Sequence, residues 1–271
     1  MSGVGATLDK THGEGRAALI GYLPVGFPDV QGSIAAMLAL VDAGVDIVEV
    51  GVPYTDPLMD GPVIQQAADA ALHGGTRLRD VFTAVQAVAD AGVPALVMTY
   101  WNPVLRYGVP AFARDLASAG GAGLITPDLI PDEAADWIDA ADAHDLDRIF
   151  LVAPSSSDER LVLTSRATRG FIYAASTMGV TGARSSVGDT AQVLVQRTQA
   201  VTDLPVCVGL GVSTGEQAAQ VASFADGVIV GSALVRCLVD AADNGSRESG
   251  VAAVRALAAE LAAGVRERPE R

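Results

Sequence analysis

Short runs rich in Val and Ile alternate eight times with longer Ala-rich stretches of helical period, and no other feature constrains the fold of this chain so tightly. Strands are expected at 18–23, 46–50, 95–99, 123–126, 148–152, 171–175, 206–208 and 227–230. Helices are expected at 33–42, 77–90, 109–119, 132–143, 158–167, 190–200, 215–223 and 251–263. Extra helices are expected after the second and eighth strands, at 62–72 and 232–240, and one more in the N-terminal segment. Repeated βα units put strands parallel, and eight of them in 271 residues fit an α/β fold, a single (β/α)8 TIM barrel over 1–271. Residues 265–271 read as a frayed tail, 244–250 as a surface turn, and no linker divides the chain.

Helix starts carry local signals. Ser213 with Glu216 three residues on reads as a capping box, and Ser157 stands before Asp158 and Glu159. Aromatic residues make up only 5% of the chain, so the core must be built from Ala, Val, Leu and Ile.

The formal net charge is -14 and no basic run occurs, which argues against nucleic acid as a partner. A phosphate-bearing small molecule is compatible with that charge only if backbone N–H groups bind it. Cys207 and Cys237 both sit in apolar stretches and read as buried, reduced residues of a cytoplasmic protein. Residues 1–16 lack an apolar signal core, and no apolar run reaches the length of a membrane helix.

Active sites of barrels lie at the C-terminal strand ends. On the second strand, alternation places Ile47, Glu49 and Gly51 on one face and Val48 and Val50 on the other. The apolar pair suits the helix layer, so Glu49 faces the interior, where apolar surroundings raise its pKa into the range of a general acid-base. A buried glutamate satisfied by hydrogen bonds is the plainer alternative. The proline-stiffened loop that follows carries Asp56 and Asp60; either suits a turn, yet two acids above an interior glutamate can divide acid and base roles.

Tyr22 on the first strand and Tyr173 on the sixth also face inward, as walls for a planar ligand or as ordinary filling. Glycine-bearing segments follow the last three strands, with Gly182, Gly211 and the pair Gly231 and Ser232, and together they suggest a phosphate cradle. The one lysine, Lys10, stands away from every strand end, which excludes Schiff-base chemistry and covalent pyridoxal phosphate in this chain. His12, His73 and His144 do not cluster with carboxylates, so no metal site is expected. Carbon-carbon cleavage in such a chain must run on carboxylates.

The stretch 48–62, Val-Glu-Val-Gly-Val-Pro-Tyr-Thr-Asp-Pro-Leu-Met-Asp-Gly-Pro, resembles the hallmark motif of the tryptophan synthase alpha subunit family. Met-Thr-Tyr-Trp-Asn-Pro at 98–103, Pro-Asp-Leu-Ile-Pro at 127–131, Gly-Val-Thr-Gly at 179–182 and Gly-Leu-Gly-Val-Ser at 209–213 resemble the same family, in order, over 17–238. The resemblance implies cleavage of indole-3-glycerol phosphate to indole and glyceraldehyde 3-phosphate. It implies Glu49 as the general acid-base, Asp60 as partner of the indole N–H, and Tyr173 as the group positioning Glu49 and substrate. Tyr22 would border the indole; Gly182, Gly211, Gly231 and Ser232 would bind phosphate; and 176–189 would close as a lid.

The family resemblance also implies a complex of two alpha and two beta chains, with pyridoxal phosphate in the beta subunit and Pro53 and Asp56 facing it. This chain departs from many relatives at Thr55 (Ser), Met59 (Ala), Tyr22 (Phe), Leu210 (Phe) and Thr177 (Arg). The competing readings are a self-sufficient lyase releasing free indole, a sugar-phosphate isomerase or epimerase on the same barrel, and a non-catalytic regulatory subunit.

Overall fold

The computed structural model of the chain describes residues 3–175, 185–209, 211–243 and 246–267. It builds, in order, α1 (Gly3–Gly13), β1 (Ala18–Pro24), α2 (Val30–Asp42), β2 (Ile47–Gly51), α3 (Pro62–His73), α4 (Leu78–Asp90) and β3 (Ala95–Met98). Then come α5 (Trp101–Tyr107), α6 (Val109–Ser118), β4 (Gly123–Ile125), a 3-10 turn (Pro131–Glu133), α7 (Ala135–Ala143), β5 (Asp147–Ile149) and β6 (Leu151–Val152). The chain continues with α8 (Asp158–Ala167), β7 (Ile172–Ala175), α9 (Ser185–Gln199), β8 (Val206–Gly209), α10 (Gly215–Ala222), β9 (Gly227–Val230), α11 (Ser232–Asp243) and α12 (Arg247–Arg266).

The strands pair in parallel in the order β5-β4-β3-β2-β1-β9-β8-β7-β6. The two ends of that order are halves of one stretch that changes neighbours at Phe150. Before it, Ile149 pairs with Ile125 of β4; after it, Leu151 pairs with Tyr173 of β7, whose N–H donates to the Phe150 carbonyl at 3.1 Å. The expected fifth strand is therefore split, and the sheet closes through it into the (β/α)8 barrel.

Alternation along the strands makes two apolar layers. Ala18, Ile20, Ile47, Leu96, Ile125, Ile149, Phe171, Cys207 and Ile229 fill the barrel, together with Val4 and Leu8 of α1, which plugs the end where the strands begin. Val48, Val50, Val97, Leu124, Val208 and Val230 face the helices instead. Fully burying one such side chain contributes about 1.5–3 kcal/mol, so a one-residue slip of any strand would forfeit several such terms at once. α12 packs on α2, α10 and α11 and brings the end of the chain back to its start.

Helix starts match the sequence signals in part. The Ser157 hydroxyl accepts from the Arg160 N–H at 3.3 Å and caps α8. At α10 the cap is Thr214, which accepts from the Gln217 N–H at 3.2 Å, whereas the Ser213 hydroxyl donates to the Gln217 side chain at 3.0 Å. The capping-box reading of Ser213 and Glu216 is thus one residue out of register. α12 begins at Arg247 under a Ser246 cap, so 247–250 are helical rather than turn. Its last turn keeps Val265 buried and Arg266 bonded to the Ala262 carbonyl at 2.7 Å, inside the expected tail.

Helix α5 was not anticipated by periodicity: it is seven residues long, with Gly108 at φ 97° separating it from α6. Among the described residues no helix is long and apolar enough to cross a membrane. Cys207 is buried, Cys237 is half-buried, and both thiols are free.

Candidate active site

The strands run out at the barrel end opposite α1, and the first side chain to consider there is Glu49. It pairs in register with Tyr22 on β1 and Leu96 on β3. Only 1% of it is exposed, and its Oε1 has no hydrogen-bond partner among the described residues. Ionising a carboxyl in such a place is costly, and burial pushes its pKa up to about 8. Glu49 therefore holds a proton at neutral pH. The plainer alternative, a glutamate fully satisfied by hydrogen bonds, does not describe it.

Both inward tyrosines share this space. Tyr22 and Tyr173 are pushed well above the ordinary phenol range, first by burial and then by the charges of Glu49 and Asp60. Glycines at the strand ends make room for their rings. A Cβ at Gly51 would collide with Tyr22, and one at Gly209 would stand 2.7 Å from the Tyr173 hydroxyl oxygen. These two glycines serve the aromatic walls.

Asp60 hangs over the mouth on the loop between β2 and α3, half-buried, and burial pushes its pKa up to about 6. The loop is stitched from both sides. The Met59 N–H donates to the Tyr100 hydroxyl at 2.8 Å, and Gln65 Nε2 donates to the Asp60 carbonyl at 2.7 Å. Within the loop Pro53 is buried, while Asp56 is exposed and accepts from Thr55 Oγ1 at 2.7 Å. Leu58 is 91% and Met59 52% exposed, and with Leu105 and Ile130 they give this rim an apolar surface.

Of the expected phosphate-binding residues, Gly211 takes φ 66° with open space around it, a backbone suited to close approach. Ser232 opens α11 directly after β9, and the Gly231 carbonyl accepts from Val235 N–H at 3.1 Å. The first N–H groups of a helix lack intrahelical acceptors and carry the positive end of its dipole, which suits an anion. Gly182 lies outside the described residues, as do Thr177, Leu210 and the lid stretch up to 184.

A separate cavity of about 420 Å³ lies between the loops after β4 and β6, lined by Pro127, Leu129, Ile130, Leu151, Ser155 and Arg160 among others. It includes neither Glu49 nor Asp60, and its cation, Arg160, is already paired with Asp132. His12, His73 and His144 lie exposed on separate helices or their ends, and Lys10 is exposed on α1 at the far end of the barrel. The mouth gathers two carboxyls of raised pKa and two phenols in apolar surroundings, an arrangement able to exchange protons with a bound molecule.

Sequence reasoning quoted Tyr100 within the 98–103 motif but gave it no role, and it passed over Gln65. Tyr100 follows β3 directly, and its place at a strand end was the available signal.

Comparison with known proteins identifies the family. Residues 8–266 match the family model described as tryptophan synthase alpha chain. The tryptophan synthase alpha chain of Mycobacterium intracellulare is 63% identical over 267 residues, covering 98% of this chain and 96% of that one. That of Salinispora arenicola is 64% identical over 266 residues, 98% of each. Among solved structures, a chain of Mycobacterium tuberculosis tryptophan synthase superposes with a TM-score of 0.90 at 62% identity, covering 98% of each chain. The tryptophan synthase subunit alpha of Legionella pneumophila gives a TM-score of 0.89 at 31% identity, again over 98% of each chain.

Proposed function

The chain belongs to the tryptophan synthase alpha chain family, and from that premise we propose how its residues carry out the alpha reaction, the cleavage of indole-3-glycerol phosphate. A buried Glu49 carboxyl, whose Oε1 has no hydrogen-bond partner among the described residues, with Asp60 on the loop over the same mouth carries this reading. Glu49 starts protonated and gives its proton to carbon 3 of the indole. The ring becomes an indolenine-like cation, and the Asp60 carboxylate accepts a hydrogen bond from its N–H and balances the charge. The Glu49 carboxylate then takes the proton of the glycerol hydroxyl next to the scissile bond. Its O–H electrons form the aldehyde, the carbon-carbon bond breaks, and the bonding pair returns to the ring. Indole and glyceraldehyde 3-phosphate result, and Glu49 ends protonated, so the cycle closes without metal or reductant.

Tyr173 positions Glu49 and substrate in this scheme, and Tyr22 borders the indole. Gly182, Gly211, Gly231 and Ser232 hold the phosphate against the start of α11, and 176–189 close over it. The family assembles two alpha with two beta chains, and pyridoxal phosphate resides in the beta subunit; the single lysine of this chain, on α1, is remote from the mouth. Asp56 and the exposed part of its loop face the beta subunit with Pro53 buried behind them, a reading supported by the exposed apolar rim of Leu58, Met59, Leu105 and Ile130. One barrel domain over 1–271 and a cytoplasmic location complete the proposal, the latter supported by a biosynthetic role and two free thiols.

The test is indole release from indole-3-glycerol phosphate, with and without beta subunit. Turnover that rises sharply when the beta subunit is added is expected. No indole in either arm overturns the reaction, and full turnover alone with no gain from the beta subunit overturns the two-subunit reading in favour of a self-sufficient lyase.

A further inference from the structure

We propose that Tyr100 is a positioning residue that holds Asp60 over the barrel mouth through the main chain of Met59. This rests on Asp60 being the group that faces the ring nitrogen. The turn at 58–60 is poorly anchored by its own side chains: Leu58 is 91% and Met59 52% exposed. Its main chain is held instead. Tyr100, 41 residues away in sequence, accepts the Met59 N–H at 2.8 Å, and Gln65 takes the Asp60 carbonyl at 2.7 Å.

The Tyr100 ring is itself fixed. It is 6% exposed and packs on Tyr54 with centroids 5.2 Å apart, and the Tyr54 hydroxyl accepts from Asn102 Nδ2 at 3.1 Å. The next residue, Trp101, donates its N–H to Asp128 at 2.9 Å, tying the start of α5 to the loop after β4. A rigid phenol at a strand end thus sets the height of a carboxylate on a loop. The titratable groups that share this end of the barrel with Asp60 and Tyr100 are Tyr22, Glu49, Tyr54, Asp56, Asp128 and Tyr173.

Tyr100→Phe removes the hydroxyl and keeps the ring stack. Freed from Met59, the turn lets Asp60 reach water, and its pKa falls toward the ordinary carboxylate range. The expected result in the cleavage assay, run with the beta subunit, is a kcat lowered about tenfold, the scale of one lost buried hydrogen bond. The acid limb of the kcat/KM profile should also move to lower pH. A lowered kcat with an unmoved acid limb, or no change in either, overturns the proposal. Asp60→Asn is measured alongside: if that variant keeps wild-type turnover, the role of Asp60 itself is wrong, whatever Tyr100 does.

Discussion

The Tyr22 ring fills the volume that a side chain at Gly51 would need, two residues beyond Glu49 on the same face of β2. Gly51→Ala should therefore push the ring off its wall and disturb the lining of the acid-base group. We expect a stability loss of about 1–3 kcal/mol, the usual cost of overpacking, and a fall in kcat/KM of at least about tenfold. Thermal unfolding and indole release measure the two; a fully active, equally stable variant would show that the ring is free to move aside.

Glu49→Gln keeps shape but removes the transferable proton. Cleavage should be abolished while the substrate still binds, as calorimetric titration with indole-3-glycerol phosphate would register. Retained turnover would assign proton transfer to another group.

The wild-type protein should also become less stable with rising pH. Glu49 binds its proton up to about 8 when folded but releases it near 4.5 when unfolded. Between those values the folded state holds more protons, so stability falls as pH rises, by on the order of a few kcal/mol across the window. Denaturant melts from pH 4.5 to 8 should lose this slope in Glu49→Gln. An unchanged slope would mean that the carboxyl is ionised in the folded protein.

Rate should follow a bell in pH. Asp60 must be ionised to balance the ring cation, and its carboxyl titrates at about 6; Glu49 must start protonated, and it titrates at about 8. The kcat/KM of the free enzyme should rise through the first value and fall through the second. A plateau extending to pH 10 would exclude a protonated Glu49 as the starting acid.

Thr214→Ala should cost about 1 kcal/mol by uncapping α10, with Ser213→Ala costing less, because of these two hydroxyls it is Thr214 that accepts a backbone N–H of that helix. Chemical denaturation of both variants checks the order, and the reverse order would restore Ser213 as the cap.

The barrel was legible because its cause is periodic: Val48 and Val50 face helices and Ile47 and Glu49 face inward, so alternation alone oriented the Glu49 carboxyl. Asp60 was legible as an acid on the loop after β2 but not in its placement, since the neighbouring Met59 N–H bonds to Tyr100, which comes 41 residues later in the chain. Helix α5 escaped because seven residues are too few to show a 3.6-residue period. The split at Phe150 escaped too, since a strand that changes partners midway keeps one unbroken apolar run. At α10 the reading settled on Ser213, while the neighbouring Thr214, whose backbone is extended where the helix begins, holds the cap.

The join at Phe150 has a consequence for where this molecule tolerates new chain ends. β5 pairs with β4 and β6 with β7, so the covalent link between them is itself a hoop of the closed sheet. A circular permutant opened at that residue gives up a hoop along with a peptide bond. One opened at Gly92, in the turn before β3, leaves every strand pair in place.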